Sequence, residues 1–244
     1  MKKILAIGNS FSEDATRYIH QIAESAGEEC LVVNLYIGGC PLWYHSDNIV
    51  TNKQESRYER NGEITTRLVS IAEAMAEEDW DVITIQQASG LSGKIESFTP
   101  FADELLAYIR KNKPAAKIYF HQTWAYPDGS KHPDFAKYDF SQKKMFSQIV
   151  SASRGYASSR GLGIILSGET IEELRGKKEF TPSKGGVDLC RDGFHLNLVY
   201  GRYAAGAAWF ATIFGEKDFS YVPDGADGAL CAVIRKIAFE KARG

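Results

Sequence analysis

Short apolar runs rich in β-branched or aromatic residues recur along this chain, each separated from the next by a longer amphipathic stretch. Five such runs occur: Lys3–Ile7, Glu29–Tyr36, Val82–Gln86, Lys117–Gln122 and Gly163–Leu166. Helical patterns fill the intervals at Asp14–Ala26, Glu63–Ala76, Pro100–Asn112 and Phe140–Ser159, and two more, Asn197–Phe214 and Gly228–Ala242, close the chain. Strands alternating with helices at this spacing predict an α/β fold, a five-stranded parallel sheet with helices on both faces. Asp14 fits a first-turn acid or cap, and Pro100 fits the first helical position after Thr99. Two stretches, Tyr36–Asn61 and Thr123–Asp139, read as irregular. Both follow strands, so both belong on the edge where open parallel sheets bind ligands.

The chain has 244 residues, 44% of them hydrophobic, enough to bury a large core. It shows no linker-like stretch, so residues 1–244 are expected to form one domain. A net charge of -2 with acids and bases interleaved argues against a nucleic-acid partner. No segment approaches the ~20 apolar residues of a membrane span. The start, Met1-Lys2-Lys3 before a short apolar run, reads as a first strand rather than a signal peptide. As it stands the chain is expected in the cytoplasm; an exported protein whose leader had been removed would look the same. Cys30, Cys40, Cys190 and Cys231 are scattered without the spacing of a zinc or redox pair. Cys40 and Cys190 each lie beside a candidate site segment.

Chemistry concentrates at the strand ends. Ile7-Gly8-Asn9-Ser10 sets a hydroxyl just beyond the first strand, where its own N–H can also stabilise an oxyanion. An ordinary strand-to-helix turn uses the same residues. Ile37-Gly38-Gly39-Cys40-Pro41 follows the second strand, and its paired glycines make the Gly39 N–H a second donor, or simply a tight turn. The third strand ends in Gln86-Gln87-Ala88-Ser89, and Gln87, lying further out, is the expected carboxamide donor. Far downstream, Asp192-Gly193-Phe194-His195 offers a carboxylate that can hold an imidazole in the tautomer whose Nε2 faces a serine. Asp192 could equally cap the following helix, as could Asn197.

Taken together, these pieces resemble the SGNH (GDSL-like) hydrolases, in the same order from Ile4 to Asn197. Gly8-Asn9-Ser10-Phe11-Ser12 looks like the nucleophile block, with Asn9 where that family usually has Asp. Gly39 looks like the second-block donor, and Asp192-x-x-His195 like the final block. Gln86-Gln87-Ala88-Ser89 stands where the family has Gly-x-Asn. The combination is similar to a bacterial branch of that family with a Gly-Asn-Ser-Phe block. The resemblance implies a flavodoxin-like three-layer α/β/α sandwich and a serine esterase with a Ser10–His195–Asp192 triad. Its oxyanion hole would come from Ser10, Gly39 and Gln87, with no metal and no cofactor.

The expected substrate is a short-acyl ester, above all an acetyl ester, on a small molecule or carbohydrate. Trp43, Tyr44, Gln122, Trp124 and Tyr126 fall on crevice-side segments, where aromatic faces suit sugar rings, although such residues also pack long loops. Alternatives are an acyltransferase on the same site, Cys40 as nucleophile, or a non-catalytic carbohydrate-binding domain. Nucleotide binding is disfavoured, because neither G-x-G-x-x-G nor a P-loop occurs. His20 reads as a surface or packing residue, and His45, His121 and His132 match no metal-ligand spacing.

Overall fold

The apolar runs become the middle of one sheet because each strand is buried on both faces. In the computed structural model, which describes residues 1–243, β1 (Lys2–Gly8) sends Ile4 and Ala6 into one core and Leu5 and Ile7 into the other. The neighbour β2 (Cys30–Tyr36) divides Val32 from Leu31, Val33 and Leu35 in the same way. Two-sided burial removes the polar alternation of a half-exposed strand and leaves continuous apolar sequence. With β3 (Ser56–Arg60), β4 (Glu63–Val69), β5 (Val82–Ile85), β6 (Lys117–His121) and β7 (Gly163–Ile165) the sheet has seven strands in the order β4-β3-β2-β1-β5-β6-β7. The five strands expected are all present and parallel.

The two extra strands correct the expected five-stranded sheet. β3 runs antiparallel to β2, and β4 antiparallel to β3. Residues 63–69, expected as the start of a helix, form the edge strand; the helix α4 (Ile71–Glu77) begins only after the Ser70 cap. Asn61-Gly62 makes the hairpin turn, with φ of 53° and 81°, the positive values that favour Asn-Gly at this place. A Cβ on Gly62 would come within 2.1 Å of the Arg17 carbonyl oxygen, so the turn closes only around glycine. An exposed edge strand carries mostly polar side chains, and Glu63, Thr65, Thr66 and Arg67 obscured its period.

Other boundaries moved as well. The helix expected over 14–26 is two, α1 (Ser10–Thr16) and α2 (Ile19–Ser25), and Asn9 rather than Asp14 caps the first. The irregular stretch 36–61 contains α3 (Leu42–Thr51) as well as β3. Helix α5 (Phe101–Asn112) follows Pro100, which holds the cap position, and α6 (Gln142–Ser159) falls where a helix was expected. α7 (Ser167–Arg175) was not anticipated. α8 (Tyr200–Phe214) is buried almost all round, packed against α1, α7 and α9 (Gly228–Arg243). The cores on the two sheet faces make the three-layer sandwich. Among the described residues, no helix is long and apolar enough to cross a membrane. All four cysteines are buried free thiols.

Candidate active site

β1 stops at Gly8, and the chain turns because Asn9 is extended, at φ -145°, and accepts the Phe11 amide on its side-chain oxygen at 3.0 Å. That cap places Ser10 at the first position of α1, partly exposed, with its own N–H outside the helical hydrogen-bond pattern. The sheet edge chosen is the carboxyl end of the parallel strands, as open α/β folds predict.

His195 reaches this turn from 185 residues away. Its Nε2 lies 2.8 Å from Ser10 Oγ, and its Nδ1 lies 2.7 Å from Asp192 Oδ2. A carboxylate can only accept, so the ring proton sits on Nδ1 and Nε2 accepts from the serine hydroxyl. Asp192 Oδ1 accepts the amides of Phe194 and His195 at 3.2 and 2.8 Å. Partial burial works against the Asp192 charge, but the bonds from the His195 ring and amide outweigh it and hold the carboxyl below its ordinary range. It is therefore an anion at neutral pH.

Asp14, fully buried on α1, anchors the loop that carries the imidazole. It binds Arg191 at 3.0 Å and Arg202 at 2.7 Å, and accepts the Leu196 amide at 2.9 Å. The loop closes on itself through Arg191 N–H to His195 O, 2.9 Å, and Asn197 N–H to Leu189 O, 2.8 Å. Gly193 lies at φ +85°, which a side chain would strain. Asn197, one candidate cap, accepts the amides of Val199 and Tyr200 near the start of α8. Asp192 is thereby left to the histidine.

Beside the nucleophile turn lies the loop after β2. Gly39 sits at φ +64° and is exposed, and its N–H donates to no backbone carbonyl among the described residues outside the regular elements. Asn9 Nδ2 donates to the Cys40 carbonyl at 3.0 Å and ties this loop to the nucleophile turn. Burial pushes the Cys40 thiol up to about 12, and the thiol donates to the Pro41 carbonyl. A thiol held neutral in this way is a poor nucleophile at physiological pH.

Four expected site residues belong elsewhere. Gln87 is buried, with its oxygen accepting the amides of Leu42 and Ala88 and its nitrogen donating to the carbonyl and hydroxyl of Ser97. Both ends of the carboxamide have partners, so Gln87 offers no donor to the site. Gln122 is fully buried between Ser153 and Glu169. Trp124, also fully buried, stacks on Phe11 at 4.2 Å and donates its Nε1–H to the Phe194 carbonyl at 2.7 Å. Tyr126 is buried with its hydroxyl on Ser89. Trp124 thus supports the His195 loop from below instead of lining a crevice. Trp43, half exposed, and Tyr44 meet edge to face at the start of α3, four and five residues beyond Gly39.

Three residues at or beneath the site have contacts that sequence reasoning did not assign to them. Gln86 donates to Asn9 Oδ1 at 2.8 Å, and His121 Nδ1 meets Gln86 Oε1 at 2.6 Å. His132 packs against Phe194 at 4.7 Å, and Phe194 against His195 at 4.0 Å. Asn9, standing where the resembled family has Asp, was the one available signal: an amide there needs a partner on each side. Among the described residues no three His, Cys, Asp or Glu side chains converge as a metal-binding set.

Residues 3–241 match the model of a domain of unknown function, DUF4886. A crystal structure of a DUF4886 family protein from Bacteroides uniformis is 38% identical with a TM-score of 0.89, over 98% of this chain and 93% of that one. A protein from Slackia heliotrinireducens described as a candidate SGNH hydrolase is 22% identical with a TM-score of 0.56, over 85% of this chain and 96% of its own. An acetylxylan esterase from Geobacillus stearothermophilus, solved as a catalytic mutant, is 13% identical with a TM-score of 0.57, over 91% and 97%. These last two share the fold. No curated protein matches the chain.

Proposed function

The chain belongs to the DUF4886 family and has the fold of the SGNH hydrolases, and from that premise we propose that it is a serine esterase acting as one domain on short-acyl esters, acetyl esters of carbohydrates first among them. The observation that carries this is the hydrogen-bonded relay Ser10–His195–Asp192, at 2.8 and 2.7 Å. Nucleophilic acyl transfer needs a hydroxyl, a base within hydrogen-bond reach and a group that orients the base.

In this mechanism Ser10 Oγ attacks the ester carbonyl while His195 Nε2 takes the hydroxyl proton. Asp192 stabilises the imidazolium that forms. The Ser10 and Gly39 amides hold the tetrahedral oxyanion, and collapse expels the alcohol, protonated by His195. Water then repeats the sequence on the acyl-enzyme and releases the acid.

Two sizeable cavities lie away from the serine. One of about 610 Å³ is lined by residues including Lys94, Gln148 and Arg160, and one of about 600 Å³ by Trp43, Val50 and Phe101 among others. Neither includes Ser10, Gly39 or His195, so neither offers the serine a long-chain acyl pocket. The carbohydrate alcohol is supported by fold kinship with an acetylxylan esterase.

Hydrolysis of p-nitrophenyl acetate, butyrate and octanoate by wild type, Ser10→Ala and His195→Ala tests the proposal. Turnover is expected to fall with chain length and to drop by at least about 10³-fold in either variant, with melting unchanged. More than a few per cent of wild-type turnover in a folded variant would remove the triad.

A further inference from the structure

We infer that Ser167, His121, Gln86 and Asn9 form a one-way hydrogen-bond chain that sets the Gly38–Gly39–Cys40 loop, and with it the second oxyanion donor. The inference rests on the esterase reading for its catalytic meaning, but the chain itself is a matter of geometry. Its links are Ser167 Oγ to His121 Nε2, 3.0 Å; His121 Nδ1 to Gln86 Oε1, 2.6 Å; Gln86 Nε2 to Asn9 Oδ1, 2.8 Å; and Asn9 Nδ2 to the Cys40 carbonyl, 3.0 Å. All four side chains are buried, with at most 1% exposure.

The direction follows from the backbone at one end. Asn9 Oδ1 accepts the Phe11 N–H and Asn9 Nδ2 faces a carbonyl, so the Asn9 amide has one possible orientation. Gln86 must then present its nitrogen to Asn9 and its oxygen to His121. An acceptor at that oxygen puts the imidazole proton on Nδ1, which leaves Nε2 to accept from the Ser167 hydroxyl. A flip of any member would set two donors or two acceptors face to face. In a buried site that costs far more than on the surface, because no water relieves it. His121 is held neutral by burial, its pKa driven down to about 3, which the tautomer argument requires.

Two further features serve the same arrangement. A Cβ on Gly8 would lie 3.0 Å from the Gln86 carboxamide carbon and 2.5 Å from Ser12 Oγ, so glycine leaves the passage beneath the turn. From the other side His45 Nε2 donates to the Gly8 carbonyl at 3.1 Å. The loop after β2 is thus joined to the nucleophile turn by the Asn9 amide, and an aspartate there could not donate to Cys40. The Gln86-Gln87 departure divides its work: Gln86 orients Asn9, while Gln87 caps α3 at Leu42. These are positioning residues; none touches the reacting atoms.

The test uses Gln86→Met, Gln86→Glu and Ser167→Ala in the full chain, after wild-type p-nitrophenyl acetate turnover and its loss in Ser10→Ala are established. Gln86→Met is expected to lower kcat about 10- to 100-fold at unchanged KM, somewhat less than outright loss of an oxyanion donor. Ser167→Ala, the gentlest variant, is expected to lose about two- to fivefold.

Gln86→Glu separates positioning from folding. While protonated, the introduced carboxyl donates to Asn9 Oδ1 and accepts from His121, restoring the chain. Once ionised, or once its proton has passed to His121, it can no longer donate. Its kcat is therefore expected to fall as pH rises, where the wild type rises towards a plateau. The groups facing it are His121 from β6, and Asn9 and Ser12 from the turn, with His45 behind Gly8.

A readout independent of catalysis is the Gly39 amide resonance in glycine-labelled protein, expected to shift in Gln86→Met and Ser167→Ala while Gly161 stays fixed. A fixed Gly39 resonance, or a wild-type pH profile in Gln86→Glu, would overturn the inference. An inactive wild type with a shifted Gly39 resonance would instead overturn the esterase reading and leave the chain standing.

Discussion

The two halves of the site are built from different materials. The nucleophile turn and the loop beside it are held by neutral side chains: Asn9, Gln86, His121 and His45, all buried. The loop carrying Asp192 and His195 is held by charge: Asp14, with Arg191 and Arg202 on it, and Trp124 beneath. The two arrangements respond to different insults. A neutral network tolerates salt but fails when one member gains a proton. A buried ion pair tolerates moderate acid but fails when one partner is deleted.

The largest effect should come from the charged half. Asp14→Asn keeps the shape but removes the negative charge that Arg191 and Arg202 share, and weakens the acceptor for the Leu196 amide. Deleting one partner of a buried pair typically costs about 3 to 5 kcal/mol. Urea unfolding should register that loss, and turnover should fall further than stability because the His195 loop loses its anchor. A loss under about 1 kcal/mol would mean that the loop is held mainly by its own turn and by Trp124.

Acid should find the neutral half first. Burial pushes His45 down to about 4, chiefly by desolvation, and His121 to about 3, both from an ordinary 6.5. Above 6.5 neither folded nor unfolded chain binds these protons, and stability does not depend on them. Between 6.5 and about 4 the unfolded chain takes up protons that the folded chain refuses, so stability falls as pH falls, by about 2.5 kcal/mol per unit near pH 5 for the two histidines together. Asp192, depressed below 3.8, acts in the same direction in a lower window: its contribution is present above that value and is lost as pH drops beneath it. Urea midpoints between pH 7 and 4 check this. A flat profile would show that the two histidines are not buried neutral.

How much of this could be read from the sequence depended on how local the signal was. The parallel strands, Ser10 at a strand end and Asp192 three residues before His195 are each contained in a few residues, and the structure brings them together. The hairpin over 56–69 was missed although Asn61-Gly62 stood in plain view, because an edge strand rich in Glu, Thr and Arg carries no apolar period. Asp14 was expected as a first-turn acid or cap; its partners Arg191 and Arg202 lie 177 and 188 residues away, beyond any spacing rule. Position after a strand correctly placed residues 122–126 on the ligand edge. It could not show that Phe194 of the 189–197 loop covers Trp124 and Tyr126, nor that Ser153 and Glu169 enclose Gln122.

Trp124 supplies the smallest and most discriminating change. As a sugar-binding platform, its replacement should raise KM. As a support, Trp124→Phe keeps an aromatic against Phe11 but removes the N–H that the Phe194 carbonyl accepts at 2.7 Å. One buried carbonyl left without its donor costs about 1 kcal/mol, and the residue affected adjoins His195. Stability should therefore drop by about that amount and kcat by a few-fold, with KM unchanged for p-nitrophenyl acetate and for an acetylated sugar alike. A rise in KM confined to the sugar ester would return Trp124 to the substrate side, which its complete burial beneath the 189–197 loop argues against.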